Sequence, residues 1–189
     1  IVFSFKNEEK NIPELINRTV KVLTQINSWN YELIFVNDCS TDNSEQILIK
    51  LQNDHPITII NMSRNFGVGP CVMAGFKQAK GDAVVYMDSD LQDPPELIKK
   101  LLEEHENGSD VVHTIRTKRL GESNTKMFVT NLAYKIINFF SDIPLPINAG
   151  DFKLISKRAL GKILELKEFR PYIRGLSVWV GFKQSIVYY

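Results

Sequence analysis

The chain has 189 residues, 43% hydrophobic and 24% charged, with a formal net charge of +1. That length and composition fit one globular domain with a sizeable core, and no segment approaches the apolar run that spans a bilayer. Two cysteines (Cys39, Cys71) and three scattered histidines (His55, His105, His113) speak against a disulfide framework, a zinc site, a His-based metal site and a Ser-His-Asp triad, with a reducing cytosolic setting as the default.

The charge is unevenly spread. Residues 1–115 hold 10 Lys/Arg and 17 Asp/Glu, whereas residues 116–189 hold 13 and 5. The first part is suited to a cation and the second to an anion or an anionic surface, although solvated helix faces alone produce such imbalance. The opening "IVFSF" and closing "SIVYY" both read as strand-like runs. The expectation is a single domain over residues 1–189, trimmed at both ends from a longer protein that can include membrane segments.

Strands and helices alternate along the chain. "IVFSF" is apolar and β-branched, hence a strand, and "NIPELINRTVKVLTQI" is a helix with Asn11 as cap and Pro13 in its first turn. "YELIFVND" is a strand buried on both faces, "STDNSEQILIKLQ" a capped helix, and "ITIINMS" a strand. "GVGPCVMAGFKQAKG" is a Gly-rich turn entering a helix; "AVVYMD", "PPELIKKLLEEHENG" and "SDVVHTIR" follow as strand, helix and strand. Beyond residue 117 the rhythm breaks into a long amphipathic helix "NTKMFVTNLAYKIINFFSD", a Pro/Gly loop "IPLPINAGDF", the helices "SKRALGKILELKE" and "RPYIRGLSVWVG", and a final strand "KQSIVYY". The long helix suits packing on the sheet or resting on a membrane surface through Phe128, Phe139 and Phe140.

This βαβα order predicts an α/β fold with a mainly parallel sheet and helices on both faces, and ligands bind such sheets beyond the carboxyl ends of the strands. The polar groups just after the strands therefore form the candidate rim: Lys6 to Glu9, Asn37-Asp38, Ser63 to Asn65, Asp88 to Asp90, and Arg116. Asp88 and Asp90 are alternate residues of an extended segment, so both carboxylates can share one face. Two like charges that close call for a cation, and Mg²⁺ or Mn²⁺ with oxygen ligands supplies it while leaving positions open for substrate phosphates; Gln92 can add a carbonyl oxygen. The plainer alternative is an acidic turn capping the helix at Pro94-Pro95, with Asp93 as its N-cap. No Walker motif is present and "FGVGP" lacks the full dinucleotide fingerprint, so metal and side chains are left to hold the phosphates. Arg64 suits either a phosphate or a rim carboxylate, and Asp38 either a base edge or an Asx-type turn in "NDCSTD".

Taken together, "NEEKNIPEL", "YELIFVNDCSTD", "SRNFG", "MAGFKQAKGDAVVYMDSDLQDPPELI", "AGDFKLISKRAL" and "RGLSVWVGFKQ" resemble the inverting nucleotide-sugar glycosyltransferases of family two, in particular the polyprenyl-phosphate branch that includes dolichol-phosphate mannosyltransferase. The resemblance runs in order through nearly the entire chain. It implies a GT-A fold, a UDP-glucose-like or GDP-mannose-like donor, Mg²⁺ or Mn²⁺, and a polyprenyl-phosphate acceptor at the cytoplasmic face of the cell membrane, with no nucleic-acid partner and the oligomeric state open. Residue by residue, it places Glu8, Asp38, Arg64 and Asp88 at the nucleotide sugar, and Asp88, Asp90 and Gln92 at the metal. It puts Asp151 near the reacting phosphate as positioner or auxiliary base, and Arg116, Arg119 and Lys126 at the acceptor phosphate, so that Asp90, Asp151 and Arg116 carry the catalysis. Ser4 and Lys6 stand where the branch usually has Pro and Tyr, Asn37 where Asp is common, Cys39 where Gly is common, and Asn148 where "DAGDF" usually begins. These departures bear on the donor base and sugar. They also keep two other readings open: a family-two enzyme acting on a polysaccharide or another lipid-linked glycan, and a non-catalytic nucleotide-sugar-binding module.

Overall fold

A computed structural model describes residues 1–26, 28–117, 149–168 and 170–189. Seven strands form one sheet among the described residues: β1 Val2–Phe5, β2 Leu33–Asn37, β3 Ile57–Asn61, β4 Ala83–Asp88, β5 Val111–Ile115, β6 Ala149–Ser156 and β7 Gln184–Tyr188, in the order β3-β2-β1-β4-β6-β5-β7. The helices are α1 Ile12–Leu23, α2 Ser44–Leu51, α3 Val68–Gln78, α4 Ile98–Glu106, α5 Lys157–Glu165 and α6 Ile173–Trp179. A 3₁₀ turn, Pro95–Leu97, leads into α4.

The sheet is buried on both faces, as continuous apolar strands require. One face stacks Phe3 on Phe35 and packs Ile12, Leu15, Ile16, Ile98 and Leu101 of α1 and α4 against them. The other carries Val2, Val36 and Tyr86 under Cys71, Val72 and Phe76 of α3 and Leu160 and Ile163 of α5. Gly75 lets α3 approach the sheet, because a Cβ there would collide with Val2 Cγ1. Ser156 caps α5 by accepting from Ala159 N at 3.3 Å.

Two expectations change. The "AGDF" segment, expected within a loop, opens β6, which runs antiparallel between β4 and β5. The sheet is thus mixed, with parallel pairing in β3-β2-β1-β4 and again in β5-β7. Asp93 does not cap the helix; its carboxylate turns inward to Arg116 and Tyr189. The long amphipathic helix expected over residues 124–142 lies outside the described residues. Among the described residues no helix is long and apolar enough to cross a membrane.

Candidate active site

At the carboxyl ends of β1, β2 and β4 lies a cavity of about 250 Å³, lined by Ser4, Lys6, Glu8, Asp38, Asp88 and Asp90 among others, with Val68 and Cys71 of α3 as its wall. Four carboxylates face one ammonium there. The turns that shape its rim pivot on non-glycine residues in the left-handed region: Asn7 after β1, Cys39 after β2 and Leu91 after β4, with φ of 58°, 61° and 60°. Such backbone costs of order 1–3 kcal/mol per residue and persists where surrounding contacts fix it.

Those contacts are visible. Asn7 Oδ1 accepts from Thr41 N at 2.7 Å, Asn37 Oδ1 accepts from Ser40 N at 2.9 Å, and Ser89 Oγ donates to Ser4 O at 3.0 Å. The Asx-type turn after β2 is therefore built by Asn37. Asp38 instead holds the neighbouring loop. Its carboxylate accepts from Phe66 N at 2.7 Å, Gly67 N at 3.0 Å and Asn65 Nδ2 at 3.0 Å, and from the Cys71 thiol. The loop thus fills three of the roughly four acceptor sites of this carboxylate. Asp38 thereby fixes the "NFG" loop that borders the cavity. Burial, then the Asp38 hydrogen bond, pushes the Cys71 thiol up to about 12, which leaves it an inert wall.

Glu8 anchors the first rim turn, its N–H donating to Ser44 Oγ at 2.8 Å and its Oε2 accepting from Asn11 Nδ2 at 2.6 Å. The Arg64 guanidinium lies 4.0 Å above the Phe66 ring and donates to Asn65 O at 3.2 Å, with no carboxylate partner among the described residues.

Asp88 and Asp90 do share the cavity. Burial raises the pKa of Asp88, and the nearby charges of Asp151, Asp90 and Asp93 raise it further, against the opposing hydrogen bond from Tyr86. This is negative charge waiting for a counter-ion. Among the described residues no cluster of three or more His, Cys, Asp or Glu side chains has metal-ligating geometry. A pair of carboxylates nevertheless matches the way Mg²⁺ and similar hard cations bind, through one or two carboxylates plus substrate phosphates. Gln92 Oε1 accepts from Arg116 Nη1 at 3.4 Å.

Arg116 Nη2 donates to Asp93 Oδ1 at 2.6 Å and its Nε to Tyr189 Oη at 2.8 Å, which ties one edge of the guanidinium to these two side chains. Arg119 and Lys126 lie outside the described residues.

Asp151 reaches the rim because β6 is antiparallel. Tyr86 pairs with Lys153, and continuing that register by two residues sets Asp151 beside Asp88. Arg174 of α6 holds Asp151 in a fork, Nε to Oδ1 at 2.8 Å and Nη2 to Oδ2 at 2.5 Å. Burial works to raise Asp151, but Arg174 and the Lys153 ammonium outweigh it and its pKa is lowered.

Three contributors escaped sequence reasoning: Tyr86, Lys153 and Arg174. The alternation of Asp151, Lys153 and Ile155 with Phe152 and Leu154 was the available signal for β6.

Lys153 is fully buried with its Nζ 3.3 Å from Ser177 Oγ, and desolvation lowers its pKa to about 8. Its cross-strand neighbour His113 is lowered to about 4 by burial first and Lys153 second. The unfolded imidazole therefore takes up a proton near pH 6.5 while the folded one resists until about pH 4. Stability from this site is complete above pH 6.5 and falls as pH drops through that window, by about 3 kcal/mol. Urea unfolding of His113→Gln between pH 7 and 4 should show a correspondingly shallower loss than the wild type.

The chain belongs to glycosyl transferase family 2, whose family model matches residues 1–164. It is 43% identical over its whole length to the uncharacterized glycosyltransferase YkcC of Bacillus subtilis, covering 58% of that protein. It is 35% identical over 97% of its length to the prophage bactoprenol glucosyl transferase homolog of Escherichia coli, covering 60% of it. The chain thus spans less than two thirds of these relatives. Among solved structures, S. aureus TarS 1-349 in complex with UDP-GlcNAc matches with a TM-score of 0.65 at 22% identity, covering 100% of this chain and 57% of that one. Glucosyl-3-phosphoglycerate synthase from Mycobacterium tuberculosis, in complex with Mn²⁺, UDP and glucosyl-3-phosphoglycerate, matches with a TM-score of 0.66 at 19% identity, covering 99% and 68%. These two establish the GT-A fold.

Proposed function

We propose that this chain is the catalytic domain of an inverting, metal-dependent glycosyltransferase that moves a hexose from a nucleotide sugar to a polyprenyl phosphate at the cytoplasmic face of the membrane. The observation that carries the reaction class is the Asp88/Asp90 pair in a cavity at the carboxyl ends of β1, β2 and β4. The relatives named bactoprenol glucosyl transferase support the acceptor and a glucose-like sugar.

Asp88 and Asp90 would hold Mg²⁺ or Mn²⁺ with the donor diphosphate, and the ion would supply Lewis-acid stabilisation of the leaving nucleoside diphosphate. Glu8 and the loop fixed by Asp38 would border the nucleoside, with Lys6 and Arg64 contributing positive charge at the rim. A phosphate monoester has a second pKa of about 6, so the acceptor is mostly dianionic at neutral pH and needs no strong base. Asp151 is a poor base while Arg174 holds both its oxygens. Its role is to fix α6 against the rim and orient the acceptor. Attack opposite the leaving group inverts the anomeric centre. Arg119 and Lys126 keep the proposed acceptor-phosphate role, and Arg116 acts on the shape of the 91–93 turn. Incubating the full-length protein with donor, Mn²⁺ and either polyprenyl phosphate or a soluble glycan tests the reading: sugar should appear on the lipid phosphate. Sugar on the glycan alone would support the polysaccharide reading instead.

A further inference from the structure

We propose that Tyr86 is a positioning residue for Asp88, committing one carboxylate oxygen to the protein and leaving the other for the cation; this rests on the metal reading above. Tyr86 is fully buried in the middle of β4, two residues before Asp88 and on the same face of the strand. A tyrosine in a sheet core needs a partner for its hydroxyl, and here it donates to Asp88 Oδ1 at 2.7 Å. The phenol has one proton and an ionised carboxylate only accepts. The Ser4 hydroxyl, 3.3 Å from Tyr86 Oη, must then be the donor of the second bond. The result is a directional buried chain, Ser4 to Tyr86 to Asp88.

The ring is packed within the sheet core. Phe76 of α3 meets it edge-on at 6.3 Å, and its strand neighbours are Val2 and Lys153. The donated bond therefore comes from a buried, packed ring and biases the orientation of Asp88. At position 4 the serine hydroxyl supplies the hydrogen-bond donor that Tyr86 Oη accepts from. Partners that orient a ligating group typically change metal affinity by about 10–100-fold when removed.

The test uses the full-length protein and Mn²⁺ as probe, with free Mn²⁺ followed by electron paramagnetic resonance in the presence of UDP or GDP. Tyr86→Phe keeps the ring and removes the hydroxyl. It should weaken Mn²⁺ binding about tenfold or more while leaving metal-free nucleotide affinity unchanged, which general damage to the fold would not do. Ser4→Ala, a milder change, should weaken Mn²⁺ about threefold and serves if Tyr86→Phe does not fold. If Asp88→Asn abolishes Mn²⁺ binding but Tyr86→Phe and Ser4→Ala bind as the wild type does, Tyr86 has no such role and the metal assignment stands. If Asp88→Asn binds Mn²⁺ normally, the metal assignment fails and the role of Tyr86 falls with it.

Discussion

Asp90→Asn should lower kcat/KM for sugar transfer about a thousandfold while leaving the fold intact. Asp90 lies on the cavity, and its Oδ1 accepts from Gln92 N at 3.0 Å, closing the turn around left-handed Leu91. Asparagine retains that acceptor and removes only the charge. The loss therefore reports on cation and diphosphate stabilisation, which is worth several kcal/mol in such sites, and each 1.4 kcal/mol is about tenfold in rate. Circular dichroism and steady-state kinetics at saturating Mn²⁺ check both halves. A variant within about threefold of wild type would remove Asp90 from the site.

Arg116→Met should destabilise the protein by about 3 kcal/mol. The Asp93 side chain is 6% exposed and pairs with Arg116 Nη2 at 2.6 Å, while Tyr189 Oη donates to the same Oδ1 at 2.5 Å. Removing the guanidinium strands a buried carboxylate with one phenol as partner. Burial, and then the Asp93 hydrogen bond, push the Tyr189 pKa up to about 12, against Arg116. Asp93→Asn combined with Arg116→Met should recover much of the loss, since the charge is then gone. Urea unfolding of the single and double variants measures it. A loss below about 0.5 kcal/mol would be the behaviour of an exposed surface pair. If stability held and only the KM for acceptor rose, Arg116 would belong to the phosphate after all.

The difference between Asp90 and Arg116 shows what a linear chain reveals. The Asp88/Asp90 spacing was legible from local sequence and both residues line one cavity, although β4 ends at Asp88 and Asp90 lies in the turn beyond it. The apolar runs of β1, β2 and β4 were legible for a similar reason, since strands buried on both faces have to be apolar. β6 was not. Its Asp151 and Lys153 are charges in the central part of a sheet, tolerable only because Arg174 and Ser177, more than twenty residues downstream, meet them there. Asp93 beside Pro94-Pro95 has every local mark of an N-cap, and a partner 96 positions away, Tyr189, overrides it. Asp38 sits in a sequence that suits an Asx-type turn, yet Asn37 builds that turn and Asp38 holds the 65–67 loop. In each case a tertiary contact decided between two locally valid roles.

The most direct measurement is the stereochemistry of the product. Full-length protein, Mn²⁺, an α-linked nucleotide hexose and polyprenyl phosphate should yield a polyprenyl-phosphate hexose whose anomeric proton shows the β configuration by NMR, with formation abolished by EDTA and restored by Mn²⁺. An α-configured product, or transfer that continues unchanged in EDTA, would contradict the account.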